Sequence, residues 1–279
     1  MKTLVCFFGE IRATHTTFKS IKMNLIDPLE ADVMMCISTQ DPDKLATDPL
    51  VKIAKHVTVV DDKNINYGDE FDKISMSCGQ DKNWRKSLCI GGGWMQGLND
   101  DKGYGGNVHA MYKKYILGHM IKKVIDEYDW FIITRPDLMW LGPHPHVRHM
   151  NPRAVFIPSG EDWGGYNDRH MVCSKETILK CVCTLNTVIF NSNMLVWLLI
   201  PKYPTLNSEI FLRIHLQSNQ IPVGRFPNLA FLTMDKSSPR GWSDPHYHDF
   251  YQVYYKFRTE LDSAVQNSGN TPFQFKGRV

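Results

Sequence analysis

The sequence predicts an α/β protein, and three observations carry that expectation. Thr3–Phe8 (TLVCFF) is a short apolar strand closed by Gly9; a polar loop follows, then Phe18, Ile21, Leu25 and Leu29 at near-helical spacing, then a second strand, Ala31–Ser38 (ADVMMCIS). This β–loop–α–β order is the opening unit of a layered α/β sheet. Trp130–Thr134 (WFIIT) carries no charge and reads as a strand buried on both faces. The length of 279 residues, 43% hydrophobic and 22% charged, gives ample core for a single domain of this class.

Composition narrows what such a domain does. A formal charge of +3, with no dense Lys/Arg run, argues against nucleic acid as a partner. Seven cysteines, an odd number and without a CxxC pair, suit reduced thiols better than a disulfide framework. The start of the chain lacks a signal peptide's basic head and cleavage site, and the apolar run 194–200 is too short to span a bilayer. The expectation is a cytoplasmic protein with no membrane span.

Taken in order, the remaining elements follow from period and punctuation. Asp41–Lys55 reads as a polar loop and short helix, and Val57–Val60 as a third strand. Asp61–Gly106 is rich in Gly, Asp and Asn and weakly periodic, as a long functional loop would be. Its aromatics Trp84, Trp94 and Tyr104 suit either sugar stacking or ordinary packing. Asn107–Tyr128 has helical spacing and feeds the Trp130 strand, which should end or bulge at Pro136 because proline has no N–H for a ladder. Ala154–Pro158 and His170–Ser174 read as strands and Lys175–Leu185 as a helix. Asn207 or Ser208 caps a helix reaching Asn219, and Ile221–Leu232 supplies a last strand. An aromatic helix is expected from Phe250, with a frayed tail after Ser263.

Several polar residues fall where open α/β sheets hold ligands, at the carboxyl ends of strands. Gly9 permits a tight turn and Arg12 offers forked donors to a phosphate, although neither GxGxxG nor GxxxxGK[ST] is present. Lys113 is placed to reach a phosphate from its helix, the alternative being a solvated basic face with Lys114, Lys122 and Lys123. Arg135 and Asp137 flank Pro136 at the end of the central strand, either as a site or as a buried structural pair. Gly165, Asn167 and Asp168 form a turn before the His170 strand, and Glu209 sits in a first helical turn, where it also favours the dipole. His144, His146 and His149 have spacing too loose to define a metal site, and Arg240, Trp242, His246 and His248 precede the last helix.

Four segments in this order resemble a family of bacterial and large-virus glycosyltransferases that build surface polysaccharides or capsid glycans: the opening FFGEIRATHTTFKSIKMNLIDPLEADVMM, then YDWFIITRPDL, GGYNDRHMVCSKE and LNSEIFLRIHL. They span most of the chain outside Asp61–Gly106. The small size is similar to that of the chlorella-virus members, which makes xylose the expected sugar and the host cytoplasm the expected location.

The resemblance implies a GT-A-like, Rossmann-like mixed sheet flanked by helices in one domain, with residues 1–140 as the nucleotide-donor half and 141–279 as the acceptor half. It implies transfer from a UDP-sugar to a hydroxyl of an oligosaccharide or glycoprotein glycan. Gly9, Arg12 and Thr14 would flank the nucleotide, and Asp137 would take the place of the strand-end acid. GT-A enzymes usually carry two carboxylates there, holding Mn²⁺ or Mg²⁺ against the diphosphate. Here the stretch is Arg135-Pro136-Asp137, so either Asp137 holds the metal with a second ligand such as His246 or His248, or Arg135 neutralises the leaving group; the metal, with Asp137 and His248 as ligands, is the expected arrangement. Asp168 and Glu209 are the candidates for the base, with inversion of configuration expected. A sugar nucleotidyltransferase, a glycoside hydrolase and a non-catalytic glycan-binding protein are the rivals.

Overall fold

The computed structural model describes residues 1–39, 41, 43–80, 82–89, 106–199, 206–234 and 246–269. Its centre is a seven-stranded sheet in the order β3-β2-β1-β4-β7-β6-β8. The strands are β1 (Thr3–Glu10), β2 (Asp32–Ser38), β3 (His56–Val59), β4 (Trp130–Thr134), β6 (Val155–Pro158), β7 (His170–Ser174) and β8 (Val223–Phe226). β3, β2, β1 and β4 run parallel, β7 is antiparallel to both β4 and β6, and β8 pairs parallel with β6. The sheet is therefore mixed, and helices flank it, as expected.

Alternation along β1 shows why both faces are covered. Leu4, Cys6 and Phe8 join Phe131 and Ile133 in a core closed by Leu117 and Ile121 of α5 (Gly106–Val124) and by Leu212 and Leu216 of α9 (Ser208–Ser218). Val5 and Phe7 point the other way, into a core with Ile21 of α1 (Thr14–Ile21), Leu25, Leu29 and Leu50. A strand buried on both sides has to read as a continuous apolar run, and β1 and β4 do.

β1 is followed by β2 on one side, and the chain later returns to place β4 on its other side, so the crevice beyond β1 and β4 is the topological switch point. β4 stops before Arg135, and after Pro136 the chain enters β5 (Leu138–Trp140) of a separate four-stranded antiparallel sheet. β9 (Ala230–Met234), β10 (His246–His248) and β11 (Val253–Tyr255) complete it, in the order β10-β11-β9-β5. Thr17 Oγ donates to the Pro136 carbonyl at 2.8 Å and Thr233 N to the Asp137 carbonyl at 2.8 Å, which fixes the turn from both sides.

Several expectations change. Ile221–Leu232 is two strands, β8 and β9, in different sheets, because Pro227 interrupts the ladder. The aromatic residues after Phe250 form strand β11, since Val253 and Tyr255 pack against β9; the helix is α10 (Arg258–Ser268), held past Ser263 by buried Leu261 and Ala264. Within Asp61–Gly106 lies α4 (Tyr67–Ser77), capped by Asn66, whose Oδ1 accepts from Asp69 N at 3.2 Å. Trp84 is core rather than a stacking surface: fully buried, it packs against Phe71 and donates to Asp72 at 2.9 Å. Trp94, Tyr104, Arg240 and Trp242 lie outside the described residues. Among the described residues no helix is long and apolar enough to cross a membrane.

Candidate active site

A cavity of about 680 Å³ opens at the switch point. The ends of β1 (Phe8, Gly9, Glu10), β2 (Ser38, Thr39) and β4 (Arg135) form its floor, with Arg12 beside them. Gly9 turns there with φ of +121°, a conformation side-chain-bearing residues avoid. α5 contributes His109 and Lys113, the loop before β7 contributes Asp168 and Arg169, the first turn of α9 Ser208 and Glu209, and Lys256 closes the far side. Six cations (Arg12, Lys63, Lys113, Arg135, Arg169, Lys256) and four carboxylates (Glu10, Asp62, Asp168, Glu209) line it.

On the β2 side, Lys113 is 1% exposed and places its ammonium 2.7 Å from both oxygens of Asp62. His109 Nδ1 lies 3.3 Å from the same carboxylate, and Tyr67 donates a short hydrogen bond to it. Burial works to raise the Asp62 pKa, yet His109 and Lys113 hold it well below the usual carboxylate range. Lys113 and Lys114 are thus not part of a solvated face; Lys114 is buried too, over the Phe8 ring and 3.2 Å from the Asp168 carbonyl, and only Lys122 and Lys123 face water.

At the end of β4, Arg135 grips Asp137 with two hydrogen bonds, Nε to Oδ1 at 2.9 Å and Nη2 to Oδ2 at 2.7 Å. Arg12 Nε adds a contact at 3.6 Å. Burial opposes ionisation of Asp137, but the two guanidiniums hold its carboxyl below its ordinary pKa. Asp137 is 1% exposed and lies behind Arg135, which faces the cavity. Arg169 has a comparable brace, donating to buried Glu260 at 2.8 Å. Burial, then the charges of Arg169 and Arg135, lower the pKa of Lys256, so three cations converge there.

Asp168 and Glu209 line the same cavity. Burial first, and the Asp168 charge second, push the Glu209 carboxyl above the usual glutamate range. Ser208 Oγ donates to it at 3.1 Å. Gly165 fixes its backbone: a Cβ there would lie 1.9 Å from the Glu209 carbonyl, and Tyr166 N donates to that carbonyl at 2.9 Å.

Of the residues singled out from sequence, the structure brings Gly9, Arg12, Lys113, Arg135, Asp168 and Glu209 to one cavity. Thr14 does not line it; its hydroxyl bonds Asp48, which caps the helix Pro49–Ile53. Asn167 is buried and turns the loop, accepting from Arg169 N at 3.0 Å and donating to the Gly160 carbonyl at 3.2 Å. Gly165 meets protein backbone, not a ligand. The structure does not bring Asp137 and His248 together as a metal pair. The two oxygens of Asp137 are engaged by arginine, His248 packs with Tyr251 and Tyr255 in the second sheet, and among the described residues no three His, Cys, Asp or Glu side chains are grouped to hold a metal. Asp62 and Lys256 were not anticipated. Asp62 follows a strand end and was findable on that ground; Lys256 carries no local signal.

No protein-family model matches this sequence, and no curated protein matches it. Among solved structures, apo mouse xyloside xylosyltransferase 1 aligns over 81% of this chain and 84% of its own, at 9% identity and a TM-score of 0.41.

Proposed function

We propose that this chain is a nucleotide-sugar-dependent glycosyltransferase on a GT-A-like scaffold, moving a sugar from a UDP-sugar to a hydroxyl of a glycan acceptor. The observation that carries the reading is the gathering, in one cavity at the switch point, of the convergent cations Arg135, Arg169 and Lys256 and the carboxylates Asp168 and Glu209. Glycosyl transfer asks for both: fixed positive charge where the diphosphate departs, and a carboxylate base at the acceptor hydroxyl.

In this scheme Glu209 is the base, since a carboxylate with a raised pKa takes a proton more readily near neutrality. As the acceptor oxygen bonds to the anomeric carbon, its proton passes to Glu209. The bond from that carbon to the diphosphate breaks, its electron pair leaves with UDP, and configuration inverts. Asp168 orients sugar hydroxyls. Arg12 and Gly9 hold the nucleotide side, and Arg135, braced by Asp137, does what a metal does in relatives with two strand-end acids. Residues 1–140 supply the nucleotide contacts and 141–279 the acceptor contacts, with Arg169 and Lys256 reaching across to the diphosphate. Xylose as the sugar, and a viral capsid or surface glycan made in the host cytoplasm as the product, rest on the sequence resemblance alone.

The test is thermal stability with UDP, GDP and CMP, each with and without Mn²⁺. A nucleotide that binds only the native state stabilises it by mass action, by about 2.7 kcal/mol at a hundredfold excess over Kd, and so raises the melting temperature. UDP is expected to stabilise equally with and without Mn²⁺. A shift that requires Mn²⁺ keeps the enzyme and removes the cations' role; no shift with any nucleotide, in folded protein, leaves the glycan-binding reading ahead.

A further inference from the structure

The tryptophans Trp84, Trp130, Trp140 and Trp163 differ in their surroundings. Trp84, Trp130 and Trp140 are at most 5% exposed, whereas Trp163 is 55% exposed. Its loop, between β6 and β7, holds positive φ at Gly160, Glu161, Trp163 and Gly164, at 96°, 54°, 42° and 81°. Two side-chain-bearing residues in that region within three positions are costly, and such strain persists only where the surroundings impose it. The surroundings do. Gly165 N donates to the Asp162 carbonyl at 2.6 Å, Arg225 pairs with the Asp162 carboxylate at 2.6 Å, and Thr259 donates to Glu161 at 2.6 Å.

The indole is therefore presented, not loose. Its N–H is satisfied by Glu161 at 3.1 Å, and its ring leans on Phe257, centroids 5.6 Å apart. Its carbonyl accepts from Asn207 at 3.0 Å. Phe257 adjoins Lys256 in sequence, and Asn207 adjoins Ser208 and Glu209, all three of which line the cavity. A rigid apolar plane thus stands beside residues that adjoin the cavity lining, with the Glu161 carboxylate next to it, while the Asn207 amide is taken up by the Trp163 carbonyl and the Ile210 N–H. A flat C–H-binding surface with a hydroxyl-accepting carboxylate at its edge suits the apolar face and hydroxyl edge of a pyranose.

We infer that Trp163 is the stacking platform of an acceptor subsite, carrying a sugar ring of the acceptor glycan so that its hydroxyl is led to Glu209. The inference rests on the transferase reading above and adds the acceptor's place to it. The experiment is saturation-transfer-difference NMR on the full chain with UDP present, using methyl glycosides of xylose, glucose, galactose, fucose and rhamnose as probes, for the wild type, Trp163→Ala and Trp163→Phe. Saturation should reach the ring protons of at least one glycoside. Trp163→Ala should raise its dissociation constant roughly tenfold and Trp163→Phe only by about twofold, with the UDP-induced thermal shift the same in all three proteins. Undiminished transfer in Trp163→Ala overturns the subsite, as does an absence of transfer to every glycoside in wild type that UDP stabilises. Transfer lost in Trp163→Ala from a protein that UDP does not stabilise would instead keep the subsite and sink the transferase.

Discussion

Asp137→Asn separates the two accounts of the strand-end acid more cleanly than any other change. Asparagine keeps the shape, and the Asp137 backbone carbonyl stays fixed by Thr233 N at 2.8 Å and Thr233 Oγ at 2.9 Å. The charge alone is removed, which leaves Arg135 and Arg12 facing one another's field without their shared counterion. Breaking a buried ion pair from one side costs about 3–5 kcal/mol, and because each arginine is roughly a quarter exposed the loss here should fall to about 2–3 kcal/mol. The sign with pH follows from the lowered carboxyl pKa. The stabilisation is complete above the unfolded-state value, about 4, and is lost as pH falls through the lower native value, so wild type and variant converge in acid. Urea unfolding at neutral pH, with and without Mn²⁺, reads this as a lower midpoint at unchanged slope. A variant within about 0.5 kcal/mol of wild type, combined with a Mn²⁺-dependent gain that only the wild type shows, would refute the structural account and restore Asp137 as a metal ligand.

Three further changes probe the rest of the cavity. Glu209→Gln should cut turnover by about 10²–10⁴ if Glu209 is the base, while its melting temperature at neutral pH equals or exceeds that of the wild type. The raised native pKa means that Glu209 favours folding below the unfolded glutamate value and opposes it once ionised, so a lower melting temperature at neutral pH would contradict the geometry. Lys256→Met should weaken UDP binding about tenfold, read by titration calorimetry. It should not destabilise the fold, because it removes a cation already crowded by Arg169 and Arg135; unchanged UDP affinity would take Lys256 out of the diphosphate site. Gly165→Ala drives a methyl into the Glu209 backbone, and a loss of about 3 kcal/mol or more is expected, together with a fall in turnover larger than the fall in UDP affinity.

The parts of this molecule that were legible in the sequence are those whose cause is local. β1, β2, β4 and β7 announce themselves because a strand covered on both faces must be uninterrupted apolar residues, and Pro136 marks the handover to the second sheet because it lacks an N–H. Gly9, Arg12, Arg135, Asp168 and Glu209 were reachable because ligand groups in such sheets gather at strand ends and helix starts, which sequence does display. What stayed hidden depends on partners far along the chain. Lys113 looks like any lysine on a helix until Asp62, 51 residues earlier, gives its buried ammonium a counterion. Lys256 lies in a stretch of aromatic residues whose strand exists only because β9 is there to pair with it.

Asp137 shows the limit most sharply. Sequence placed an acid at the strand end correctly, but whether that acid faces a ligand or a guanidinium depends on the turn at Pro136. The turn puts residues two apart on the same side, with Arg135 outermost and Asp137 behind it. A carboxylate in that position orients and anchors Arg135, which under the proposed transferase scheme is the cation that would meet the diphosphate. Replacing a pair of strand-end acids by Arg-Pro-Asp therefore need not abandon the electrostatics of the site. It moves the positive charge from a bound ion to a covalently fixed guanidinium, at the cost of a buried acid to hold it, and Glu260 behind Arg169 repeats the arrangement on the neighbouring wall.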